Sequence, residues 1–173
     1  MRTPNRQETQ ADAHRMNAIF RWLLVLGFCQ LWVSARAAQL TVGDTVPSFS
    51  AKDQHGKEFV FANGVQFLLV ATERACGTSA NHKLADQGAG FLEKYQAVYV
   101  MDIHTMPGVA RFFALPKMRK YPQRIVLVET AGTLGWVPTQ PGRVTVLTLT
   151  SAGRIQKISY WNPDSDPVAG YLQ

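Results

Sequence analysis

The hydrophobic pattern of the chain is clearest around an apolar run at 67–71, which follows the turn signal Asn63-Gly64. An apolar run of this length predicts a β-strand that is buried on both faces. Downstream, 79–95 carries apolar or small residues at helical spacing, and 97–103 is a second apolar strand pattern. Strand, helix and strand form a β-α-β unit, whose two strands we expect to be parallel.

The flanking patterns add further strands and short helices to this unit. A turn at Gly56, followed by Phe59 and Phe61, predicts a β-hairpin over 51–61. In 109–115, apolar residues lie on one face of a predicted helix that Pro116 interrupts. We predict further strands at 124–129, 143–149 and 155–160, and a short terminal helix at 167–172. The sequence shows no repeat and no second core, so we predict one α/β domain.

The first 37 residues have a different character. Residues 1–15 are polar, 16–21 form a short basic start, and 22–35 are uncharged and mostly apolar. The segment Ala35-Arg36-Ala37 resembles a cleavage signal, so the pattern is typical of a secretory signal peptide, with Met16 as a candidate start. We therefore predict a signal region at 1–37, a domain at 38–173 and a periplasmic location.

An uncleaved membrane anchor is the alternative for this region, although the apolar run is shorter than the roughly 20 residues that a spanning helix needs. Lipid attachment at Cys29 is a weaker alternative, because Phe28 stands where a small residue is expected. If the anchor were kept, this segment would be the chain's contact with a membrane.

Charge argues against a nucleic-acid partner. The chain has a formal charge of +6, and loss of residues 1–37 removes five arginines and two acidic residues, which leaves +3. The basic cluster at 117–120 is typical of a solvated surface. Removal of the same segment leaves Cys76 as the only cysteine, so we expect a domain without an internal disulfide.

Cys76 lies where the first buried strand passes into the predicted helix. The start of a helix carries partial positive charge and unpaired N–H groups. A thiol at that position tends to ionise more easily and to become a better nucleophile. The sequence therefore makes Cys76 the leading candidate for chemistry.

The segment Cys76-Gly77-Thr78-Ser79 resembles the Cys-x-x-Cys site of the thioredoxin superfamily, with Ser79 in place of the second cysteine. A G-x-x-x-P-x-F pattern at 43–49 and D-Q-H-G-K at 53–57 resemble the redoxin branch, which contains peroxiredoxins and periplasmic thioredoxins. The resemblance covers about 40–173. It implies a thioredoxin-like three-layer α/β fold, with a central mixed sheet flanked by helices and an N-terminal hairpin.

The resemblance also implies a site. Cys76 would attack a disulfide, and Ser79, which cannot resolve the mixed disulfide, would cap the helix. Release would then require an outside thiol, such as glutathione or a partner protein. We expect Gly77 and Thr78 to contact the substrate. This hypothesis describes a monothiol redox or thiol-disulfide exchange protein without a cofactor.

In thioredoxin folds, a cis-proline faces the active-site cysteine and its backbone binds peptide substrate. Pro141 is the candidate for this substrate-binding position, and Pro122 is its rival. An ordinary trans loop proline is the alternative for both residues, since only about 5–6% of X–Pro bonds are cis.

Two other chemistries are less well supported. Peroxiredoxins have a P-x-x-x-T-x-x-C motif, but here Glu73 stands three residues before Cys76 and no proline matches. Copper(I) would suit the soft ligands Met101, His104 and Met106, but a core strand for Met101 and a loop for the other two explain these residues better. His55 and His82 have no ligand spacing between them, so no metal site is predicted.

A non-catalytic interpretation has equal weight. Cys76 would then be a small half-buried residue without chemistry, in a periplasmic binding or scaffold protein. The pattern around 106–119 is also similar to secreted bacterial proteins that are sometimes described as FAD/FMN-containing dehydrogenases. No G-x-G-x-x-G opens a helix in this chain, so the sequence gives no support for flavin binding.

Overall fold

A computed structural model of the protein describes residues 38–173, so the predictions made for residues 1–37 lie outside the described residues. This part of the chain contains seven strands and three α-helices, followed by a 3₁₀ turn at Val168–Tyr171. None of its helices is long and apolar enough to cross a bilayer. In chain order the elements are β1 Ser50–Asp53, β2 Glu58–Val60, β3 Phe67–Ala71, α1 Arg74–Ala85, α2 Phe91–Lys94, β4 Ala97–Asp102, α3 Gly108–Met118, β5 Val126–Val128, β6 Val144–Leu149 and β7 Ile155–Trp161.

The predicted β-α-β unit forms the centre of the sheet. Strand β3 is buried along its whole length and pairs in parallel with β4, with Phe67 opposite Ala97. On its other side, β3 pairs with β6 in antiparallel orientation. Because its side chains point alternately to the two faces, a strand buried on both faces must be apolar throughout.

All seven strands belong to one mixed sheet with the order β2-β1-β5-β4-β3-β6-β7. The predicted hairpin is confirmed, and β1 also pairs antiparallel with β5. The crossovers through α1 and α3 join the parallel neighbours β3, β4 and β5. Since right-handed crossovers that proceed in one direction place their helices on the same face, α1 and α3 become neighbours.

The two faces of the sheet are covered differently. Alternate residues of β3, such as Leu69, pack in a core with the buried residues of α1, α2 and α3. The opposite alternation, including Leu68, packs against Phe49, Leu134 and Val137. The helices therefore cover one face, while the residues that flank the hairpin, such as Phe49 and Phe61, and the loop after β5 cover the other.

The predicted helix at 79–95 is wrong in extent. Helix α1 begins five residues earlier, at Arg74, and ends at Ala85. Gly88 and Gly90 then adopt φ values of +85° and +82°, which lie in the left-handed region that favours glycine. These two glycines break the helical pattern, and the chain restarts as the short helix α2.

Helix α3 differs from its prediction in two ways. It continues through Pro116, which lies in the last turn of the helix. Proline has no N–H to donate to the carbonyl of Phe112, but Phe112 is exposed, so water can bind that carbonyl instead. In addition, Val109, Phe112 and Phe113 remain 64–74% exposed. The apolar stripe that the pattern indicates therefore faces away from the core.

Candidate functional site

Helix α1 starts directly after a two-residue connection from β3. Glu73 is the N-cap residue, but its side chain makes no capping hydrogen bond to the helix. Cys76 is the third residue of the helix and lies in its first turn. The structure thus places the thiol at the junction between the central strand and the helix.

The side chain of Cys76 is covered, with 3% of its surface exposed. Its Sγ lies 3.3 Å from the carbonyl oxygen of Glu73 and 3.7 Å from that of Arg143, so the thiol has two acceptors. Burial raises the pKa of the Cys76 thiol, and the negative charge of Glu73 acts in the same direction. The N–H groups at the helix start favour the thiolate but do not outweigh burial, so Cys76 is a protonated thiol at neutral pH.

The loop before β6 lies against this junction. The N–H of Gly142 donates to Oε2 of Glu73 over 3.0 Å, while Pro141 is exposed beside it. The predicted neighbour of Cys76 is therefore nearby. The cis-proline expectation is wrong, however, because every peptide bond across residues 38–173 is trans, including those before Pro141 and Pro122. Gly142, at φ +69°, makes the turn.

Gly77 has a packing role. A Cβ atom at this position would lie 2.8 Å from Cε of Met101 and 3.5 Å from Cβ of Ala71. The buried hydroxyl of Tyr99 donates to the carbonyl of Gly77 over 3.1 Å. These contacts draw α1 close to β3 and β4, so the glycine allows helix and sheet to approach.

The other two predicted site residues lie differently on the helix: Ser79, three positions after Cys76, is on the same face as the thiol, whereas Thr78, two positions after it, points to another side. Ser79 is the sixth residue of α1 and half-buried, so the expectation that it caps the helix is wrong. The hydroxyl of Thr78 donates to the carbonyl of Arg74 over 2.9 Å, one turn back. Thr78 lines a groove that Cys76 does not line.

This groove, between α1 and α3, is a feature that the sequence analysis missed. It has a volume of about 720 Å³. Its lining combines apolar, polar and basic side chains: Arg74, Thr78, Asn81, His82, Met101, Met106, Ala110, Phe113, Ala114, Lys117, Met118, Lys120 and Tyr121. The signal in the sequence that could have indicated this groove was the apolar face of α3, from which only a helix was predicted.

Polar contacts tie the two sides of the groove together. Nε2 of His82 lies 3.2 Å from the hydroxyl of Tyr121, and their rings pack edge to face. Burial raises the pKa of Tyr121, so its hydroxyl stays protonated at neutral pH. Below them, Nε2 of Gln123 donates to the carbonyl of Asn81 over 2.9 Å.

The residues considered for copper do not form one cluster. Nδ1 of His104 lies 2.7 Å from Oδ1 of Asp102, whereas Met101 and Met106 line the groove, which His104 does not. Within residues 38–173, no three His, Cys, Asp or Glu side chains converge in a way that could hold a metal ion. The contacts of these residues therefore give the copper alternative no set of ligands.

Comparisons with known proteins identify the fold. No family model matches the chain, and no curated protein matches it either. Among solved structures, the thioredoxin domain of a thiol-disulfide oxidoreductase from Bacteroides vulgatus is similar, with a TM-score of 0.52, 11% identity and coverage of 78% of this chain and all of the other. A peroxidoxin from Mycobacterium tuberculosis gives 0.50 and 14%, covering 78% and 95%. A peroxiredoxin-like protein from Aquifex aeolicus gives 0.51 and 12%, covering 72% and 78%.

These similarities confirm the predicted thioredoxin-like α/β fold with its mixed sheet. At such low identities they show the fold alone, since one fold hosts many activities. The similarity to proteins described as FAD/FMN-containing dehydrogenases stays a prediction.

Proposed function

We propose that this protein is a non-catalytic, thioredoxin-fold binding protein, in which Cys76 is a structural residue. The observation that carries the proposal is the burial of Cys76, which also raises the pKa of its thiol. A cysteine that attacks disulfides or peroxides must present a thiolate to its substrate. Here Cys76 is only 3% exposed, and its sulfur contacts the carbonyls of Glu73 and Arg143.

The geometry around the thiol supports the same conclusion. The positions three and four residues after Cys76, which share its face of the helix, hold Ser79 and Ala80, so neither supplies a second thiol to resolve a mixed disulfide. Gly77 is used for packing against Met101. Cys76, Gly77 and Thr78 thus make contacts within the fold that need no chemistry.

Thiol reactivity tests this proposal. Iodoacetamide should modify native Cys76 more slowly than it modifies glutathione at pH 7, and the rate should rise only above the pH at which an unperturbed thiol ionises. In denaturant the two rates should become similar. The protein should also fail to catalyse disulfide reduction by glutathione. Modification of native Cys76 faster than of glutathione at pH 7 would remove the proposal.

Monothiol exchange is the second candidate, and one observation favours it. The carbonyl of Arg143 covers the thiol and directly follows the exposed loop residues Pro141 and Gly142, of which Gly142 is hydrogen-bonded to Glu73. Displacement of this loop would bring the sulfur closer to solvent. Cys76 would lose its proton to solvent and attack a disulfide R–S–S–R′, which forms Cys76–S–S–R and releases R′–S⁻. The thiolate of glutathione would then attack the R sulfur, form a glutathione–R disulfide and return Cys76 as a thiolate.

A trapping experiment separates the two candidates. A thiol-exchange protein should form mixed disulfides with exported proteins or glutathione in cells that are rapidly acidified, and Cys76→Ser should abolish them. The binding protein should form none. A single mixed-disulfide partner that depends on Cys76 would favour the second candidate.

We also propose that the protein is exported to the periplasm through residues 1–37. The support is the basic start, apolar middle and small-residue end of that segment. Osmotic shock of cells expressing a C-terminally tagged chain should release the protein. Mass spectrometry should find an N-terminus after Ala37, and an intact N-terminus in the cytoplasmic fraction would contradict export.

A further inference from the structure

We propose that the groove between α1 and α3 binds an amphipathic small molecule that carries a carboxylate. This inference rests on the proposed binding function and names the class of ligand. The groove's volume of about 720 Å³ lies in the usual range for small-molecule sites, about 300–1,000 Å³.

The apolar part of the groove comes from strand β4, from helix α3 and, through Met106, from the loop between them. Its walls and floor include Met101 of β4, Phe113 of α3 and Met118 at the end of α3. Phe113 is 64% exposed, although Met101 and Met118 are buried. Methionine side chains adapt to irregular apolar shapes, so this lining suits a flexible hydrocarbon body.

The charged part of the groove has one sign. Arg74, Lys117 and Lys120 line it, and among the described residues no Asp or Glu side chain does so. Lysine and arginine stems can pack along apolar surface while their charged ends stay hydrated at the rim. A ligand with an apolar body and an anionic end is therefore complementary to this lining, whereas a cationic amphiphile is not.

A buried amide adds a polar point to the floor. Asn81 lines the groove and is 3% exposed, and its Oδ1 has no hydrogen-bond partner among the described residues. Its Nδ2 lies 3.9 Å from the sulfur of Met101. A buried acceptor without a partner costs free energy, so ligands with a donor near the apolar body should bind better than simple alkyl chains.

A small molecule fits this surface better than a protein. A stable protein interface buries about 1,200–2,000 Å² in total. The exposed large apolar residues of this surface are Val109, Phe112 and Phe113 on α3, which form a short stripe, and only Phe113 lines the groove. The mixed lining of the groove, rather than the exposed stripe, carries the proposal.

Titration calorimetry with the purified full chain tests the inference. Decanoate is the probe, and decanol and decyltrimethylammonium are matched neutral and cationic probes, all below their aggregation concentrations. Decanoate should bind with one-to-one stoichiometry and at least tenfold more tightly than either analogue. Absence of saturable decanoate binding, or equal binding of the cation, would overturn the proposal.

Variants locate the site. Phe113→Ser should weaken decanoate binding about tenfold, whereas Phe112→Ser, a change at the neighbouring exposed ring outside the lining, should not. Lys117→Gln combined with Lys120→Gln should reduce the affinity to that of decanol, and Lys157→Gln on β7 should leave it unchanged. Equal losses in the two phenylalanine variants would also overturn the proposal.

The Cys76→Ser variant distinguishes failure of this inference from failure of the proposed function. Decanoate affinity should be the same in this variant, because Cys76 does not line the groove. If decanoate does not bind while native Cys76 remains unreactive, the ligand class is wrong and the thiol has been assigned correctly. If Cys76 reacts rapidly while decanoate binds, the assignment of the groove as a binding site is supported and the non-catalytic proposal is wrong.

Discussion

Glu73 and Gly142, which are 69 positions apart in the sequence, are joined by a hydrogen bond of 3.0 Å from the backbone N–H of Gly142 to the carboxylate of Glu73. Three residues after Glu73, the sulfur of Cys76 lies 3.7 Å from the carbonyl oxygen of Arg143, which is the residue after Gly142. The carboxylate therefore connects the start of the helix to the loop that covers the thiol. It also opposes ionisation of the thiol through its charge.

Removal of this carboxylate should make Cys76 more reactive. Glu73→Ala frees the loop and removes the charge that raises the pKa of the thiol, so alkylation at pH 7 should accelerate several-fold. Glu73→Gln keeps an acceptor for Gly142 and removes only the charge, so its effect should be smaller. Stopped-flow alkylation kinetics give both rates. Identical rates in wild type and Glu73→Ala would show that the carboxylate does not control access.

Gly77 should tolerate alanine but not a larger side chain. The Cβ of an alanine meets the mobile end of Met101 at 2.8 Å, and the gain in helix propensity, about 1 kcal/mol, offsets the adjustment of that side chain. Gly77→Leu must displace buried packing and should lower the free energy of unfolding by about 1–3 kcal/mol. Urea denaturation of the two variants measures the difference. Replacing Met101 by valine should reduce the cost of the leucine, whereas additive costs would contradict contact between the two positions.

Gln54 should be essential for the attachment of the hairpin. This side chain is 3% exposed; its Nε2 donates to the carbonyl of Gln123 and its Oε1 accepts from the N–H of Ile125, both over 2.8 Å. Gln54→Leu leaves two buried backbone groups unpaired, at about 1–3 kcal/mol each. Thermal and urea unfolding should show this loss. Gln156→Leu on β7, where the side chain is exposed, should stay within about 0.5 kcal/mol of wild type.

Asp53 should make stability depend on pH in acid. Burial opposes its ionisation, but the N–H groups of Lys57 and His55 and the guanidinium of Arg124 together hold its pKa below the ordinary value of 3.8. The folded state therefore binds this proton more weakly than the unfolded state. The stabilisation is complete above pH 5 and is lost as the pH falls below 3.8 through the lowered folded pKa.

The comparison with Asp53→Asn isolates this contribution. At pH 7 the variant should be less stable by about 1–3 kcal/mol, since it loses the charged hydrogen bond to Arg124. The difference should shrink between pH 4 and pH 2, because protonation of the wild-type carboxyl removes the same charge. Asp44 and Asp166, whose pKa values are also lowered, titrate in both proteins and cancel. A difference that is constant down to pH 2 would contradict a role for the ionised form.

The sequence pattern predicted the strands of the sheet, but it did not predict where helix α1 starts or which way the apolar stripe of helix α3 faces. Strands such as β3 are predicted by apolar runs, because burial on both faces leaves no other composition. Helix α1 begins at Arg74, and the first turns of its buried face consist of small residues, Cys76, Gly77 and Ala80, which give only a weak apolar signal in the sequence. The stripe on α3 was correctly spaced for a helix, but spacing alone does not distinguish a stripe that faces the core from one that faces solvent.

The candidate site was harder to predict, because its geometry depends on residues that are distant in sequence. Local context suggested an activated thiol at Cys76, and the strand junction that it implies is present. The cover over the sulfur comes from Arg143, 67 positions away. The groove likewise joins Arg74 to Lys120 across two crossovers, and no local pattern connects them.

Met101 takes part both in the packing of α1 on the sheet and in the lining of the groove. Its thioether ends against Gly77 in the contact between helix and sheet, and the same side chain lines the groove. Tight docking of the helix and the shape of the groove are thus coupled through one flexible residue. Substitutions at these two buried positions can therefore change the volume of the groove without any change at its rim. Examples are Gly77→Ala, or a branched residue in place of Met101.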